Sequence, residues 1–350
     1  MTMRATFAAV VLGLALAVAP APPDRPPAVS RWAPLIGAHY YPWYGPDRWA
    51  HQPATDTPVL GRYRSSDPAV VARHVRWAQD ADLDFFVLSC LDPAGPEAET
   101  LREVTVPGLA AAGFRFALHY ETPIALGLHP QRPIDFATRL PDGTAAGDRF
   151  VEHFDHLADT YFTHPCYLRH DGRAVVMLYL VRNWVNAGPF LRTVRDRLAA
   201  QGVELYPIAD AMYWERPGEL DWPFLEEHFS AVTAYNMYHR PGFLPGVRRQ
   251  YAAADRAARA RGLRMIPHVL PGYDDTRLRG ADRVTLPRRG GAFYREFWRL
   301  AAGFVGPDQP FLFVTTFNEW HEGTELEPSA EHGDLYLRLT RELAADLRGR

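Results

Sequence analysis

Two glutamates three residues apart, Glu319 and Glu322, are the sharpest chemical feature of this sequence. At that spacing two side chains face the same way if the segment turns helically, with Cβ atoms about 5–6 Å apart. A carboxyl kept neutral by burial and by a neighbouring charge can hand a proton to a departing oxygen while its partner stays ionised. An isolated E-x-x-E is ordinarily a pair of solvated acids. Here Phe317 and Trp320 flank the pair directly after the β-rich run 311–316, and aromatic crowding would desolvate it. Asn318, Glu319 and His321 are poorer metal ligands than acid–base groups: H-E-x-x-H is absent and no second His-rich cluster has ligand spacing. No metal and no cofactor are therefore expected. Nucleophilic serine or cysteine chemistry is not expected either, because no G-x-S-x-G elbow occurs and Cys90 has no adjacent base.

The elements that must position these groups alternate along the chain. β-rich runs fall at 36–40, 85–89, 115–120, 174–179, 204–208, 231–235, 264–269 and 311–316, with helical stretches such as 69–81, 191–200 and 252–261 between them. About eight strand–helix units predict a single α/β (β/α)8 TIM barrel, whose chemistry sits at the C-terminal ends of the strands. A doubly wound sheet would carry a Gly-rich turn after its first strand, and none is present. The strand ends contribute Tyr41, Trp43, His51 and Gln52 after the first, Glu121 after the third and Asp210 after the fifth. Tyr235, Asn236 and Tyr238 follow the sixth, and Tyr273, Asp275 and Arg277 the seventh. Carboxylates, aromatics and neutral hydrogen-bonding groups suit sugars, whereas phosphates would call for basic clusters or Gly-rich loops.

Composition agrees. The 350 residues are 47% apolar, enough for a large core, and 38 cations against 41 anions leave a net charge of −3. That balance has no positive surplus for nucleic acid or an acidic membrane surface. The 13% aromatic content leans the same way as the loops, toward stacking on sugar rings. Residues 1–21 read as a secretory signal, or as an uncleaved anchor, since Pro follows either candidate cleavage site. Residues 22–34 form a Pro-rich lead-in and 35–350 the catalytic barrel. The expected protein is thus secreted or extracytoplasmic, on the membrane only if the first segment is retained, and monomeric. Cys90 and Cys166 could form one bridge or remain two buried thiols.

Asn318-Glu319-Trp320-His321-Glu322-Gly323-Thr324, followed by Glu325-Leu326-Glu327-Pro328, resembles the signature of the endo-α-mannosidases of glycoside hydrolase family 99. Tyr40 to Gly45, the Trp49/His51-Gln52 loop, His119-Tyr120-Glu121, His164 to Tyr167 with Asp171-Gly172-Arg173, Pro271 to Arg277 and Phe293-Tyr294 to Trp298 match it in order, over 35–327. The resemblance implies the same barrel and a retaining, endo-acting enzyme for α-mannosidic linkages in an oligosaccharide or polysaccharide. It implies Glu319 as base on a sugar 2-hydroxyl, through an anhydro-sugar intermediate, and Glu322 as general acid and then base. It also implies substrate contacts at Tyr41, His51, Gln52, Glu121, Tyr273, Arg277 and Trp320, with Tyr235 and Tyr238 as equal candidates for a phenol near the cleaved bond. The chain departs from the family after the second strand, where Ser89-Cys90-Leu91-Asp92-Pro93 replaces a Trp-rich turn. A hydrolase for a different glycan, or a non-hydrolytic carbohydrate-binding or polysaccharide-assembly protein on the same barrel, are the alternatives.

Overall fold

The computed structural model describes residues 32–93, 95–212, 217–235 and 243–349. The expected segment 1–21, most of the lead-in, Asn236 and Tyr238 lie outside them.

The strands are β1 (Leu35–Tyr40), β2 (Phe85–Cys90), β3 (Arg115–Tyr120), β4 (Arg173–Leu178), β5 (Leu205–Asp210), β6 (Ala231–Thr233), β7 (Arg264–Ile266), β8 (His268–Val269) and β9 (Phe311–Val314). They follow one another in parallel, β1 to β6, and β1 also pairs with β9. β7 pairs with β6 while β8 pairs with β9. Only Pro267 separates β7 from β8, and its carbonyl accepts from the Phe313 amide at 3.1 Å. The two pieces are therefore one stave, and the sheet closes as an eight-stave barrel. The expected run 264–269 is interrupted because proline has no N–H to give the ladder. The sixth and last staves end sooner than the sequence suggests, at Thr233 and Val314.

Parallel strands buried on both faces read as near-continuous apolar runs, and Phe85–Cys90 is buried at every position. The barrel interior is filled in layers. Low down, Phe85, Phe311 and Phe313 meet edge to face at 5.8–6.2 Å. Gly37 faces them, and a Cβ there would stand 2.1 Å from the Phe85 ring. The layer above is polar: His39, His119 and His268, all buried, bring the His39 ring 5.0 and 5.2 Å from the other two. Tyr235 lies over this layer, 4.9 Å from His39 and 5.4 Å from His119.

Amphipathic helices clad the outside. Pro68–Asp80 starts on an Asp67 cap that accepts from the Ala69 amide, with Pro68 in the first turn. Gly188–Ala200, Phe243–Arg259, Ala292–Ala302 and Leu335–Leu347 complete much of the ring. Outside the barrel, Ile134–Asp135 pairs with Trp184–Val185, tying the loops after β3 and β4 together. Among the described residues no helix is long and apolar enough to cross a membrane, and Cys90 and Cys166 are both free.

Candidate active site

The segment after β9 is built to hold two acids in a fixed place. Asn318 brackets Tyr41, donating from Nδ2 to its carbonyl at 3.0 Å and accepting its amide at 2.7 Å. The Tyr44 hydroxyl donates to the Asn318 carbonyl and accepts from the Trp320 amide, at 2.7 and 3.0 Å. The chain then makes one 3-10 turn, Trp320–Glu322, and leaves it through Gly323 at φ 61°. A Cβ at Gly323 would meet the Asp274 backbone at 3.1 Å, so both the angle and the space call for glycine. Beneath the turn Glu327 accepts from Trp320 Nε1 at 2.9 Å, Tyr63 Oη at 2.8 Å and His74 Nε2 at 3.1 Å.

Glu319 and Glu322 are both buried, which bears on the E-x-x-E spacing directly: these are not solvated acids. Glu319 Oε2 accepts from the Tyr235 hydroxyl at 2.6 Å, and that hydroxyl is also bonded to Tyr41 Oη. Burial, then the charge of Glu322, pushes the Glu319 carboxyl well above the usual range, against the Tyr235 hydrogen bond. Glu322 Oε1 accepts from Arg279 Nη1 at 2.8 Å. Arg279 in turn reaches Asp275 at 2.8 Å, and Tyr273 donates to the same carboxylate at 2.6 Å. Burial acts on Asp275 most strongly, but Arg279, Tyr273 and Arg283 together outweigh it and hold that carboxyl below its ordinary value. His321, its pKa brought down to about 4 mainly by burial, places Nε2 3.6 Å from Glu319 Oε1.

Glu121 closes another wall. It accepts from Ser89 Oγ at 2.9 Å and stands 3.5 Å from His119 Nδ1. Burial, with the charges of Asp210 and Glu322 adding to it, pushes its carboxyl up to about 8. Asp210 itself accepts the Leu180 and Tyr235 amides at 3.1 and 3.0 Å and so positions backbone.

The expected residues divide into two groups. Glu319, Glu322, Tyr41, Tyr235 and Tyr273 come together, and Glu121 is coupled to them through its electrostatic contact with Glu322. Trp320 is fully buried beneath the turn and holds it from below rather than facing a ligand. Arg277 is exposed and donates to the Ala54 carbonyl at 3.0 Å, and the cation that meets Glu322 is Arg279. His51 is exposed, with Nδ1 2.8 Å from the Asp47 carbonyl. Arg279, Asn318 and Tyr44 were missed as members of the site. The Arg277/Arg279 choice had no signal in spacing alone, whereas Asn318 beside Glu319 did. Ligand atoms of Glu319, His321 and Glu322 lie within 4.8 Å of one another, the sole such trio among the described residues. The Arg279 guanidinium against Glu322 and the neutral form favoured at Glu319 make it a poor cation cage.

The sequence profile described as Glycosyl hydrolase family 99 matches residues 140–338. A glycoprotein endo-alpha-1,2-mannosidase-like protein from Homo sapiens is 26% identical over 344 residues, covering 90% of this chain and 69% of that one. A glycoprotein endo-alpha-1,2-mannosidase from Rattus norvegicus is 24% identical over 314 residues, covering 86% and 62%. In fold, the chain is similar to the solved endo-alpha-mannosidase from Bacteroides thetaiotaomicron, with TM-score 0.69 at 19% identity over 90% of this chain and 97% of that one.

Proposed function

Because the chain belongs to glycosyl hydrolase family 99, we propose that it is an endo-acting, retaining hydrolase of α-mannosidic linkages, with Glu319 and Glu322 as its working pair. The observation that carries this reading is the pair itself: two buried carboxyls within 4.8 Å of each other after the last strand of a barrel. Inverting enzymes hold their carboxyls about 6.5–9.5 Å apart to admit a water between them, so a separation this short suits retention.

In the first step Glu319 takes the proton of the mannose 2-hydroxyl and O2 closes on C1 to give a 1,2-anhydro sugar. The C1–O bond to the leaving sugar breaks as Glu322 supplies its proton. In the second step water adds to C1 and gives a proton to Glu322, while O2 leaves C1 and recovers its proton from Glu319. One proton therefore resides on the pair throughout. In the empty site burial favours it on Glu319. A 2-hydroxyl donating to Glu319 favours the ionised form there and moves the proton toward Glu322. Tyr235 steadies the Glu319 carboxylate, and Arg279 steadies the Glu322 carboxylate left after the leaving group has gone. Glu121, Tyr41 and Tyr273 are positioned for sugar hydroxyls, with His51 and Gln52 further out. We read the protein as a secreted or extracytoplasmic monomer, anchored only if its N-terminal segment is retained.

The test is incubation of the purified protein with a panel of α-mannans. Released oligosaccharides are separated, and the anomer first formed is read by proton NMR. Internal cleavage with the α-anomer first is the expected outcome; inversion, or cleavage of another glycan only, overturns the assignment.

A further inference from the structure

Beside the catalytic turn lies a hollow of about 400 Å³ walled by Trp43, Asp47, Arg48, His51, Gln52 and Glu97. That volume is within the range of small-ligand sites, ~300–1,000 Å³. Trp43 is the wall nearest the reaction: its ring packs 4.3 Å from Tyr41 and 5.9 Å from His321. The frame is rigid. Trp49 roots the short helix Pro46–His51, donating from Nε1 to the Tyr63 carbonyl at 2.7 Å and stacking on Tyr44 at 4.3 Å.

The polar groups on this frame are under-used. The Arg48 guanidinium covers Trp43 at 4.4 Å from the ring centre. It approaches Glu97 only to 3.8 Å, too far for a hydrogen bond. Trp43 Nε1 and Gln52 Oε1 are buried with no hydrogen-bond partner. A donor, an acceptor and a loosely paired charge couple around one aromatic ring are the complement of a pyranose.

We propose that this hollow is an additional subsite, which takes a neutral hexose of the glycan beyond the units flanking the cleaved bond. The inference rests on the hydrolase reading above. On binding, the guanidinium leaves the indole and closes on Glu97, a C–H face of the sugar takes its place, and hydroxyls satisfy Trp43 Nε1 and Gln52 Oε1. A neutral unit is specified because Arg48 is offset by Asp47 and Glu97, which leaves no surplus positive charge for a uronate or phosphate.

The test uses α-mannooligosaccharides of two to six units. Their kcat/KM is measured with the wild type, and their affinity for Glu319→Gln by calorimetry. Filling the hollow should raise wild-type kcat/KM about three- to tenfold over the shorter substrate, the worth of one or two net hydrogen bonds. The ratio of long to short should fall toward one in Gln52→Leu and decrease in Glu97→Gln. Affinity for Glu319→Gln should show the same step with length. Cleavage without any gain on lengthening, or a gain that survives in both variants, overturns the subsite and leaves the hydrolase reading standing. If no oligomer is cleaved or bound, that reading falls and the subsite with it.

Discussion

Arg279 offers the most direct trial of the electrostatics of the site. Its Nη1 lies 2.8 Å from Glu322 Oε1, which puts the two charge centres roughly 4 Å apart, worth about 4 kcal/mol at an effective dielectric near 20. The Arg279 side chain is 40% exposed, so water screens the contact, and about 1.5 kcal/mol is a better measure of what its charge does. That equals about one pH unit. Removing the cation in Arg279→Gln favours the protonated form of Glu322, so the acid keeps its proton to higher pH. The alkaline limb of the kcat/KM–pH profile should therefore move up by about one unit, while Arg279→Lys leaves it near its original place. The other groups facing Glu322 are Glu319 and His321 on its own turn, Asp275 and Tyr273 beside Arg279, and Glu121 across the cleft. All are unaltered by the substitution. The assay is the initial rate at low substrate from pH 4 to 10, with folding checked by circular dichroism at each end. An alkaline limb that stays put or moves down in a folded Arg279→Gln protein refutes the reasoning.

Three further outcomes follow from contacts already described. Glu322→Gln should lose about 10²–10⁴-fold in kcat on a natural glycan, because an amide cannot protonate the departing oxygen, and much less on an aryl mannoside with a good leaving group. Equal losses on both would remove Glu322 from the acid's role. Glu319→Gln should be nearly inactive yet bind oligosaccharide within a few-fold of the wild type by calorimetry; turnover close to wild type would sink its assignment as base. Glu327→Ala strips the buried acceptor from Trp320, Tyr63 and His74 at once and should cost about 3–5 kcal/mol in urea unfolding, and a loss under 1 kcal/mol would show that the turn is held by other means.

Much of the scaffold is written locally. β2 and β3 are dense in aromatic and aliphatic residues, and such runs declare a buried strand without help from the rest of the chain. The exceptions have local causes too. Phe243–Arg259 begins nine residues before the expected 252, because Pro245 and Gly246, which look like a stop, sit in the first turn where proline's missing N–H costs nothing. The pairing of Ile134–Asp135 with Trp184–Val185 joins segments fifty residues apart and leaves no mark on either. In the site, Glu319 and Glu322 are legible because their spacing and aromatic flanks are contiguous. The cation that meets them is not. Arg277 and Arg279 lie two apart on the one-turn helix Thr276–Arg279, and residues two apart face different ways. Only the placement of the whole loop decides which one turns inward. Tyr235 is brought to Glu319 by the short β6 stave, and nothing in Tyr235 against Tyr238 distinguishes them before folding.

The histidine layer under Tyr235 carries a consequence for where such a protein can live. Burial lowers all three rings, His119 and His268 to about 3 and His39 well below its ordinary value, with neighbouring histidines adding to the effect at His39 and His268. In the unfolded chain each would take up a proton near pH 6.5. The folded state holds fewer protons than the unfolded one between those limits, so the stability these residues allow is whole above about pH 6.5 and drains away as the medium acidifies toward 3. The acid tolerance of the barrel is thereby fixed one storey below the chemistry, by groups that never touch a sugar. An acidic habitat would select against this floor even if the carboxyl pair above it were content there, and adapting the enzyme to such a habitat would begin with these histidines rather than with the glutamates.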